Sequence, residues 1–401
     1  MTSSVFSQIA LAPADPILGL TEAFNADTNL AKVNLGVGVY QDGSGKVPIL
    51  EVVREAERRW QQKEDTKSYI PIDGVPAYNK LVQRLVLGEN SEVITSGRAH
   101  TAQALGGTGA LKIGADFLKR FFPESKVYLS TPSWENHRAI FEAAGFEVQT
   151  YPYYDPKTHG IEFDEMMSAL KRLEAQSIIL LHASCHNPTG VDLSHDQWRE
   201  VVEICREGKL IPFLDFAYQG FAVDPETDAF AVRAFAESGL QCVIANSFSK
   251  SFSLYRERVG GLTIVTADAD EAKRVQSQLK RIIRTNYSSP ASHGAQVVAL
   301  VLGDEQLRAK WLEELAAMRN RILAMRKMLV SKLKEKGVER DFSFIERQCG
   351  MFSFSGLDLE MVRKLKADKS LYIVNSGRIC VAAVNEKNID YICDAISQVV
   401  R

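Results

Sequence analysis

The chain has 401 residues, 45% of them hydrophobic, so it is long enough to bury a sizeable core and is expected to form about two domains. Its formal net charge of −2 provides no basic surface for a nucleic acid or an acidic membrane, and a small-molecule substrate is favoured. The N-terminal residues lack a basic segment followed by an apolar core, and no apolar run approaches the roughly 18 residues of a membrane helix. We therefore expect a cytoplasmic protein. Six cysteines without C-x-x-C spacing indicate neither a disulfide framework nor a metal site.

A proline-containing segment near the N-terminus predicts an extended arm. Residues 12–20 contain two prolines, followed by the apolar residues Ile17, Leu18 and Leu20. The prolines disfavour a helix here, and exposed apolar side chains would need a second surface to cover them. The arm is therefore the first indication of a partner subunit.

Helices and glycine-rich turns follow the arm. Residues 33–40 alternate glycine with β-branched residues, which is typical of a strand that another group approaches closely. Helices are expected over 50–63 and 76–87, separated by a turn that carries Tyr69. A Gly-Gly-Thr-Gly sequence at 106–109 then opens a helix and presents free amides to an anion, so it is a candidate phosphate site. It is neither a full P-loop nor G-x-G-x-x-G, so a nucleotide is not favoured.

From residue 127 onward, apolar strands alternate with amphipathic helices. Strands are predicted over 127–130, 147–151, 177–182, 211–215 and 242–246, and helices over 136–144, 163–173, 195–207 and 229–238. This alternation is typical of a mostly parallel sheet with helices on both faces, whose ligands bind at the carboxyl ends of the strands. Polar and aromatic residues follow those strand ends, namely Trp134, His137, His182, His186, Asn187, Asp215 and Tyr218. Each alone could be core filler, a turn residue or a helix cap, but their shared location favours a ligand site.

The last of these strands leads into a polar turn that carries Lys250. The hydroxyls of Ser247 and Ser249 precede the lysine, Arg258 follows it, and two glycines come next. An amine beside groups that can hold a phosphate suits pyridoxal phosphate, because the amine condenses with the cofactor's aldehyde as a Schiff base. Two alternatives remain open on this motif alone. Lys250 could be a solvated surface charge, or the S-x-x-K pattern could mark a Ser-Lys acyl hydrolase.

A long amphipathic helix is predicted over 305–336 and leads into a second structural unit. Its apolar residues recur every three or four positions, at Leu307, Trp311, Leu315, Met318, Ile322, Met325, Leu329 and Leu333. Beyond it, short strands over 342–345, 351–354, 371–374 and 379–382 and helices over 358–368 and 387–399 indicate a smaller α+β domain. We place the boundary inside the long helix. The predicted domains are 47–317, which binds the cofactor, and 1–46 with 318–401, which form the arm and the small domain.

The combination of these motifs resembles the class I pyridoxal-phosphate aminotransferases, and within them the bacterial aspartate and aromatic-amino-acid aminotransferases. The resemblance rests on Asp215-x-x-Tyr218, on Ser247-x-Ser249-Lys250 with Arg258, and on the Asn187-Pro188-Thr189-Gly190 sequence. It extends over practically the whole chain. It implies the type I aminotransferase fold, in which a large α/β domain accompanies the smaller α+β domain, and a homodimer with active sites at the subunit interface.

The resemblance also implies roles for individual residues around pyridoxal 5′-phosphate. Lys250 would be the Schiff-base lysine and the base that moves the substrate proton, and Asp215 would pair with the pyridine nitrogen. Tyr218 and Asn187 would bond the ring oxygen, Trp134 would stack on the ring, and His137 would orient Asp215. The phosphate would be held by Gly107, Thr108, Ser247, Ser249 and Arg258, with Tyr69 reaching in from the partner subunit.

For the substrate, the resemblance implies two arginines. Arg378 would hold the α-carboxylate, assisted by the backbone of Gly38 and by Asn187 and Trp134. Arg284 would come from the partner subunit and meet the side-chain carboxylate of a dicarboxylic substrate. The implied function is a ping-pong transfer of the amino group between an aromatic amino acid or aspartate and 2-oxoglutarate. A strict aspartate aminotransferase is the alternative within the family, and a Ser-Lys hydrolase or a non-catalytic binding protein is the alternative outside it.

Overall fold

The computed structural model describes residues 4–12 and 17–400 of the chain. Its strands are β1 (Val33–Asn34), β2 (Ala99–Leu105), β3 (Val127–Thr131), β4 (Val148–Pro152), β5 (Tyr154–Asp155), β6 (Gly160–Ile161), β7 (Ile178–His182), β8 (Ile211–Phe216), β9 (Cys242–Ser247), β10 (Val259–Val265), β11 (Phe352–Phe354), β12 (Leu371–Tyr372) and β13 (Arg378–Cys380). Its α-helices are α1 (Leu18–Ala26), α2 (Glu51–Lys63), α3 (Pro76–Leu87), α4 (Glu92–Thr95), α5 (Gly106–Phe121), α6 (Glu135–Ala143), α7 (Phe163–Leu170), α8 (His195–Glu207), α9 (Pro225–Asp228), α10 (Phe230–Glu237), α11 (Ala269–Asn286), α12 (His293–Gly303), α13 (Glu305–Glu335), α14 (Phe344–Arg347), α15 (Leu359–Lys369) and α16 (Ile389–Val399). A 3₁₀ turn covers Val381–Ala383.

A seven-stranded sheet in the order β2-β10-β9-β8-β7-β3-β4 forms the centre of the molecule. All its neighbouring strands are parallel except β10, which runs antiparallel to both β2 and β9. The prediction of a mostly parallel sheet is therefore confirmed. The antiparallel strand β10 and its neighbour β2 were not anticipated, because glycine at 260 and 261 and the mixed polarity of 99–105 obscure the strand pattern.

The middle strands bury both faces, as a parallel sheet between helices requires. Along β7, Leu180 packs into one hydrophobic cluster and Leu181 into the other. The same alternation occurs along β8, where Phe213 and Leu214 point to opposite clusters. Because side chains alternate across a strand, an unbroken apolar run supplies both layers of the core.

The register of the sheet brings the ends of three strands together. His182 at the end of β7 lies opposite Asp215 on β8, and Phe216 lies opposite Asn246 on β9. Ser247, the last residue of β9, lies opposite Gly260 of β10. The polar residues that follow separate strands in the sequence are thus neighbours at one edge of the sheet.

Helix α13 connects this edge to the C-terminal part of the chain. All eight apolar positions predicted for its packed face are buried. The Trp311 indole donates a hydrogen bond to the carbonyl of Ser251, next to Lys250, at 2.8 Å. Further along α13, the Arg326 guanidinium donates to the carbonyl oxygens of Ile345 and Gly350. The helix therefore links the lysine turn to the segment that precedes β11.

Short strands from both ends of the chain form a separate layer with α15 and α16. Strand β1 pairs in parallel with β12, Val33 opposite Leu371, and β11 pairs antiparallel with β13. In consequence Arg378 on β13 and the backbone of residues 36–40 lie close together, although they are far apart in sequence.

Three predictions about local structure were wrong. Residues 342–345 do not form a strand, since α14 begins at Phe344, and a short buried apolar run does not distinguish one helical turn from a strand. The strand expected over 33–40 is limited to β1. The predicted arm lies partly outside the described residues, at 13–16, and from Leu18 onward the chain is helical. The side chain of Leu20 packs over Gly36 in the same chain.

In the part of the chain that the structure describes, the helices are either too short or too polar to cross a membrane.

Candidate active site

Lys250 follows the end of β9 by three residues and lines a cavity at the carboxyl edge of the sheet. Its ammonium group lies 4.9 Å from the ring centroid of Tyr218. Burial lowers the pKa of Lys250 to about 8, although the charge of Asp215 opposes this shift. The amine therefore loses its proton more easily than an ordinary lysine, as a nucleophile or a proton acceptor requires.

Asp215 lies on β8 opposite this amine, and one of its two carboxylate oxygens makes a hydrogen bond. Its Oδ2 lies 2.7 Å from His137 Nε2, while its Oδ1 is buried and has no hydrogen-bond partner among the described residues. Burial by itself would raise the pKa of Asp215, but the hydrogen bond and charge of His137 outweigh burial and hold it below its usual value. A buried carboxylate oxygen without a donor is costly. The site is thus matched to a ligand that presents a protonated nitrogen, as pyridoxal phosphate does.

His137 is itself held by a chain of hydrogen bonds. Its Nδ1 lies 2.9 Å from the Ser133 hydroxyl, which lies 3.1 Å from His182 Nε2. Burial lowers the pKa of His182 to about 3, so that ring is neutral. The contact through which His137 was predicted to orient Asp215 is therefore present, and Ser133 and His182 extend it.

An anion cradle lies on the opposite side of the cavity. Helix α5 begins at Gly106, and a side chain on Gly107 would come within 3.2 Å of Ser247 Cβ. The Ser247 hydroxyl lies 3.1 Å from Ser249 Oγ, and the Arg258 guanidinium lies 3.4 Å from the same Oγ. A helix N-terminus, two hydroxyls and a guanidinium together favour a phosphate. Ser247 makes no hydrogen bond with Lys250 in the described chain, so the Ser-Lys hydrolase interpretation gains no support.

Asn187 and Tyr218 connect this part of the site to a buried arginine. The Asn187 amide nitrogen lies 3.5 Å from the Tyr218 hydroxyl, and its oxygen accepts a hydrogen bond from Arg378 at 3.2 Å. The Arg378 guanidinium also donates to the carbonyl of Gly36 at 2.7 Å and lies 4.2 Å from the ring centroid of Phe352.

Arg378 carries a buried charge without a counter-charge. Its side chain is 1% exposed, its Nε is buried with no hydrogen-bond partner, and no carboxylate of the described residues lies within ion-pair distance. An unpaired buried charge is unfavourable, and a guanidinium fork binds a carboxylate through two parallel hydrogen bonds. The geometry therefore suits a carboxylate ligand.

The cavity, with a volume of about 130 Å³, brings together nearly all residues predicted from the sequence. Its walls contain Gly38, Gly107, Thr108, Trp134, Asn187, Asp215, Tyr218, Ser247, Ser249, Lys250 and Arg258. They also contain Leu111, Ala217 and Tyr255, which sequence reasoning missed. The hydroxyl of Tyr255 accepts a hydrogen bond from the backbone of Tyr40 at 2.8 Å. Tyr255 lies between Lys250 and Arg258 in the sequence, and this position could have identified it as a site residue.

Three predicted site residues do not line this cavity: Arg378, which reaches it through its hydrogen bond with Asn187, and Tyr69 and Arg284. Tyr69 is 94% exposed, and Arg284 is exposed at the C-terminal end of α11, where its guanidinium bonds the hydroxyl of Ser288. Both residues had been predicted to act from a partner subunit, and their exposure in one chain agrees with that prediction without testing it.

A parallel α/β sheet with an amine, a paired carboxylate and a phosphate cradle at its carboxyl edge defines a pyridoxal-phosphate-dependent enzyme. The family model for class I and II aminotransferases matches residues 31–396, and the chain belongs to that family. It is 54% identical over 396 residues to an aspartate aminotransferase of Pseudomonas aeruginosa, covering 99% of this chain and 100% of the relative. It is 50% identical over 396 residues to an aromatic-amino-acid aminotransferase of Escherichia coli, covering 98% and 100%.

Solved structures agree with this assignment. The crystal structure of an aromatic-amino-acid aminotransferase from Burkholderia pseudomallei, covalently bound to pyridoxal phosphate, is 57% identical in sequence and superposes with a TM-score of 0.97. The alignment covers 99% of this chain and 100% of that one. The protein is a pyridoxal-phosphate-dependent transaminase with the type I fold.

Proposed function

We propose that this transaminase moves the amino group between an aromatic amino acid or aspartate and 2-oxoglutarate by a ping-pong mechanism. Relatives at about equal identity are named for aspartate and for aromatic amino acids, which supports both substrate classes. The observation that carries the proposal is the buried guanidinium of Arg378, which has no acidic partner among the described residues. It provides a carboxylate site common to every amino acid and oxo acid in the reaction.

The residues around the cofactor site would each hold one part of pyridoxal 5′-phosphate. When bound, this group supplies an aldehyde that joins an amine covalently and a ring that accepts electrons from the substrate's Cα. Asp215, oriented by His137, would keep a proton on the ring nitrogen. Tyr218 and Asn187 would bond the ring oxygen, and Trp134 would cover one face of the ring. Gly107, Thr108, Ser247, Ser249 and Arg258 would hold the phosphate.

Lys250 would both attach the cofactor and move the proton at the substrate's Cα. Burial lowers the pKa of its amine to about 8, and a group whose pKa lies near the pH of the reaction can take up and release a proton with similar ease. Proton transfer by a positioned side chain accelerates a reaction by about 10²–10⁴-fold. Arg378, with the backbone of Gly38 and the amide of Asn187, would orient the substrate so that its Cα faces this amine.

The second carboxylate of aspartate, glutamate or 2-oxoglutarate would be bound by Arg284 of a partner subunit. We include a homodimer in the proposal because Tyr69 and Arg284 are exposed in one chain and lie outside its cavity. Exposed apolar residues in the described N-terminal segment, Phe6 and Leu11, also offer a surface to a second subunit. The domain boundary within α13 and the cytoplasmic location are further predictions of this proposal.

Two substrate classes create a conflict at Arg284. A ring buried against an unpaired guanidinium would cost about 3–5 kcal/mol, enough to exclude aromatic substrates. Arg284 must therefore turn away when the ring enters. It is exposed and bonded to the hydroxyl of Ser288, four residues away on the same chain, so it can turn toward solvent without leaving a buried partner unpaired.

Arg284→Leu tests this proposal. We expect kcat/KM for aspartate to fall by about 10²–10³-fold, because its side-chain carboxylate loses a charge partner, while kcat/KM for phenylalanine changes by less than about threefold. The matched control is Arg281→Leu, which removes an exposed arginine one turn earlier on α11 and should change neither constant.

Two outcomes would contradict the dual specificity. Equal losses for both substrates would mean that Arg284 does not distinguish them. A wild-type enzyme with robust aspartate activity and no detectable phenylalanine activity would be a strict aspartate aminotransferase.

A further inference from the structure

Two cysteines and an aspartate converge beside the loop that carries Asn187. Cys185 follows β7, Asp192 lies in the loop before α8, and Cys349 follows α14. The two sulfur atoms and a carboxylate oxygen all lie within 4.8 Å of one another, and Cys349 Sγ lies 3.1 Å from Asp192 Oδ2. None of the three residues lines the cofactor cavity. The cluster is therefore a second group of side chains that could bind a ligand, and it lies outside the cavity assigned to transamination.

The spacing of these atoms is close to that of ligands around one metal ion. Zn²⁺ binds thiolates at about 2.3 Å and carboxylates at about 2.0–2.2 Å, so two ligands of one tetrahedral ion lie about 3.5–3.8 Å apart. The Asp192 carboxylate is already held in place, because its Oδ2 accepts a hydrogen bond from the backbone amide of Cys185 at 2.6 Å and its Oδ1 accepts one from the amide of His186 at 2.8 Å. The two sulfur atoms would therefore close around a fixed carboxylate. Cys185 is buried, whereas Cys349 and Asp192 are partly exposed. An ion could enter from their side, and water would take the fourth position.

A buried guanidinium next to the cluster has carbonyl partners but no counter-charge among the described residues. Arg326 is 1% exposed, and it donates hydrogen bonds to carbonyl oxygens, including that of Cys349 at 3.2 Å. Its Nε is buried without a hydrogen-bond partner, and no carboxylate of the described chain lies within ion-pair distance. A divalent ion with two thiolates and one carboxylate carries a net charge of −1, which would offset this guanidinium.

The thiols do not ionise readily by themselves. Burial raises the pKa of the Cys185 thiol well above its usual value. A hydrogen bond with Cys185 lowers the pKa of Cys349, but burial and the charge of Asp192 outweigh it and raise that pKa overall. A cation would replace both thiol protons, which leave to solvent, and would thereby stabilise the two thiolates.

We propose that Cys185, Cys349 and Asp192 form a binding site for a thiophilic divalent cation such as Zn²⁺. An ion bound there connects the loop that carries Asn187 to the segment that precedes Phe352 and β11. Two thiolates and one carboxylate favour zinc and its heavier analogues over Mg²⁺ or Ca²⁺, which prefer oxygen ligands alone.

Titration of the reduced holoenzyme with Cd²⁺ under argon tests the site. We expect about one Cd²⁺ per chain, an ultraviolet thiolate-to-cadmium charge-transfer band, and loss of that band when Zn²⁺ is added in excess. Cys349→Ser, which retains a hydroxyl for Asp192, should abolish the band. The matched control, Cys205→Ser, removes a buried thiol outside the cluster and should leave the band unchanged. Circular dichroism of both variants establishes that they are folded.

A measurement on the wild-type protein alone completes the test. Bound Cd²⁺ should slow the alkylation of the partly exposed Cys349 in the folded protein, as read by mass spectrometry. The proposal is overturned if no band appears, if Cys349→Ser retains the band at full intensity, or if the two thiols are lost as a disulfide with no metal retained.

Discussion

Two parts of the candidate active site, which we call its bottom and its rim, differ in how they are held in place. The bottom consists of Lys250, Asp215 and Arg378, of which Asp215 and Arg378 are buried and hydrogen-bonded within one chain. The rim consists of two residues assigned to a partner subunit. Tyr69 and Arg284, by contrast, are exposed, and neither lines the cavity. Folding of one chain therefore brings together the groups proposed for covalent and proton chemistry. The groups assigned to substrate choice would need a second chain.

The largest expected effect comes from removing the amine at the bottom of the site. Lys250→Ala should lower kcat by at least about 10⁴-fold, because the variant loses both the attachment point and the proton-transfer group. Pyridoxal 5′-phosphate should still bind without a covalent bond, since the phosphate and ring contacts remain. Steady-state kinetics and absorption spectra of the purified variant measure both effects. Substantial turnover without an added amine would show that Lys250 has been assigned wrongly.

A smaller loss is expected when the charge of Asp215 is removed but its shape is kept. Asp215→Asn should reduce kcat by about 10²–10³-fold, because a neutral amide no longer keeps a proton on the ring nitrogen. Single-turnover kinetics with aspartate would measure this loss. Near-normal rates would mean that the unpaired Oδ1 serves another purpose. Asp224→Asn, a change at a helix cap outside the cavity, is the control.

Subunit exchange tests directly whether the rim is shared. A mixture of Lys250→Ala and Arg284→Ala chains should recover up to about a quarter of wild-type activity toward aspartate, since hybrid dimers form half of a random mixture and each has one intact site. Native mass spectrometry would establish that exchange has occurred. If exchange occurs and activity does not return, each site is built within one chain and the comparison between bottom and rim fails.

The smallest expected effect is a shift in pH dependence. Only the neutral amine of Lys250 can condense with the aldehyde of pyridoxal 5′-phosphate. Because the pKa of this amine is lowered from 10.5 to about 8, coupling of the cofactor to the cofactor-free protein should accelerate as pH rises, with a midpoint near 8. Stopped-flow absorbance follows this rate. Asp215 raises the pKa of Lys250, so Asp215→Asn should move the midpoint lower, whereas Arg284→Leu at the rim should not move it. Equal shifts in both variants would remove the distinction between the two regions.

Sequence patterns alone predict the alternation of strands and helices and most of the residues that line the cavity. Apolar runs of five or six residues followed by amphipathic helices predict a parallel sheet, and such sheets place the residues after each strand at one edge. The sequence pattern predicts that Lys250, Asp215 and Asn187 share that edge, and all three line the cavity. It failed at α14 and over residues 36–40, because short apolar segments carry no periodicity long enough to separate helix from strand.

Sequence patterns do not show which polar atoms lack a hydrogen-bond or charge partner, because this depends on the tertiary structure. The free Oδ1 of Asp215 and the guanidinium of Arg378, which has no carboxylate partner, depend on contacts between segments far apart in the chain. The same holds for Cys185 and Cys349, whose spacing in the sequence indicates no metal site. Their thiols meet because the backbone of Cys349 bonds the carbonyl of Gly190, in the loop after β7, while Arg326 of α13 bonds the carbonyl of Cys349. Periodicity reports which face of an element is buried, whereas the pairing of buried polar atoms is set by the packing of several elements together.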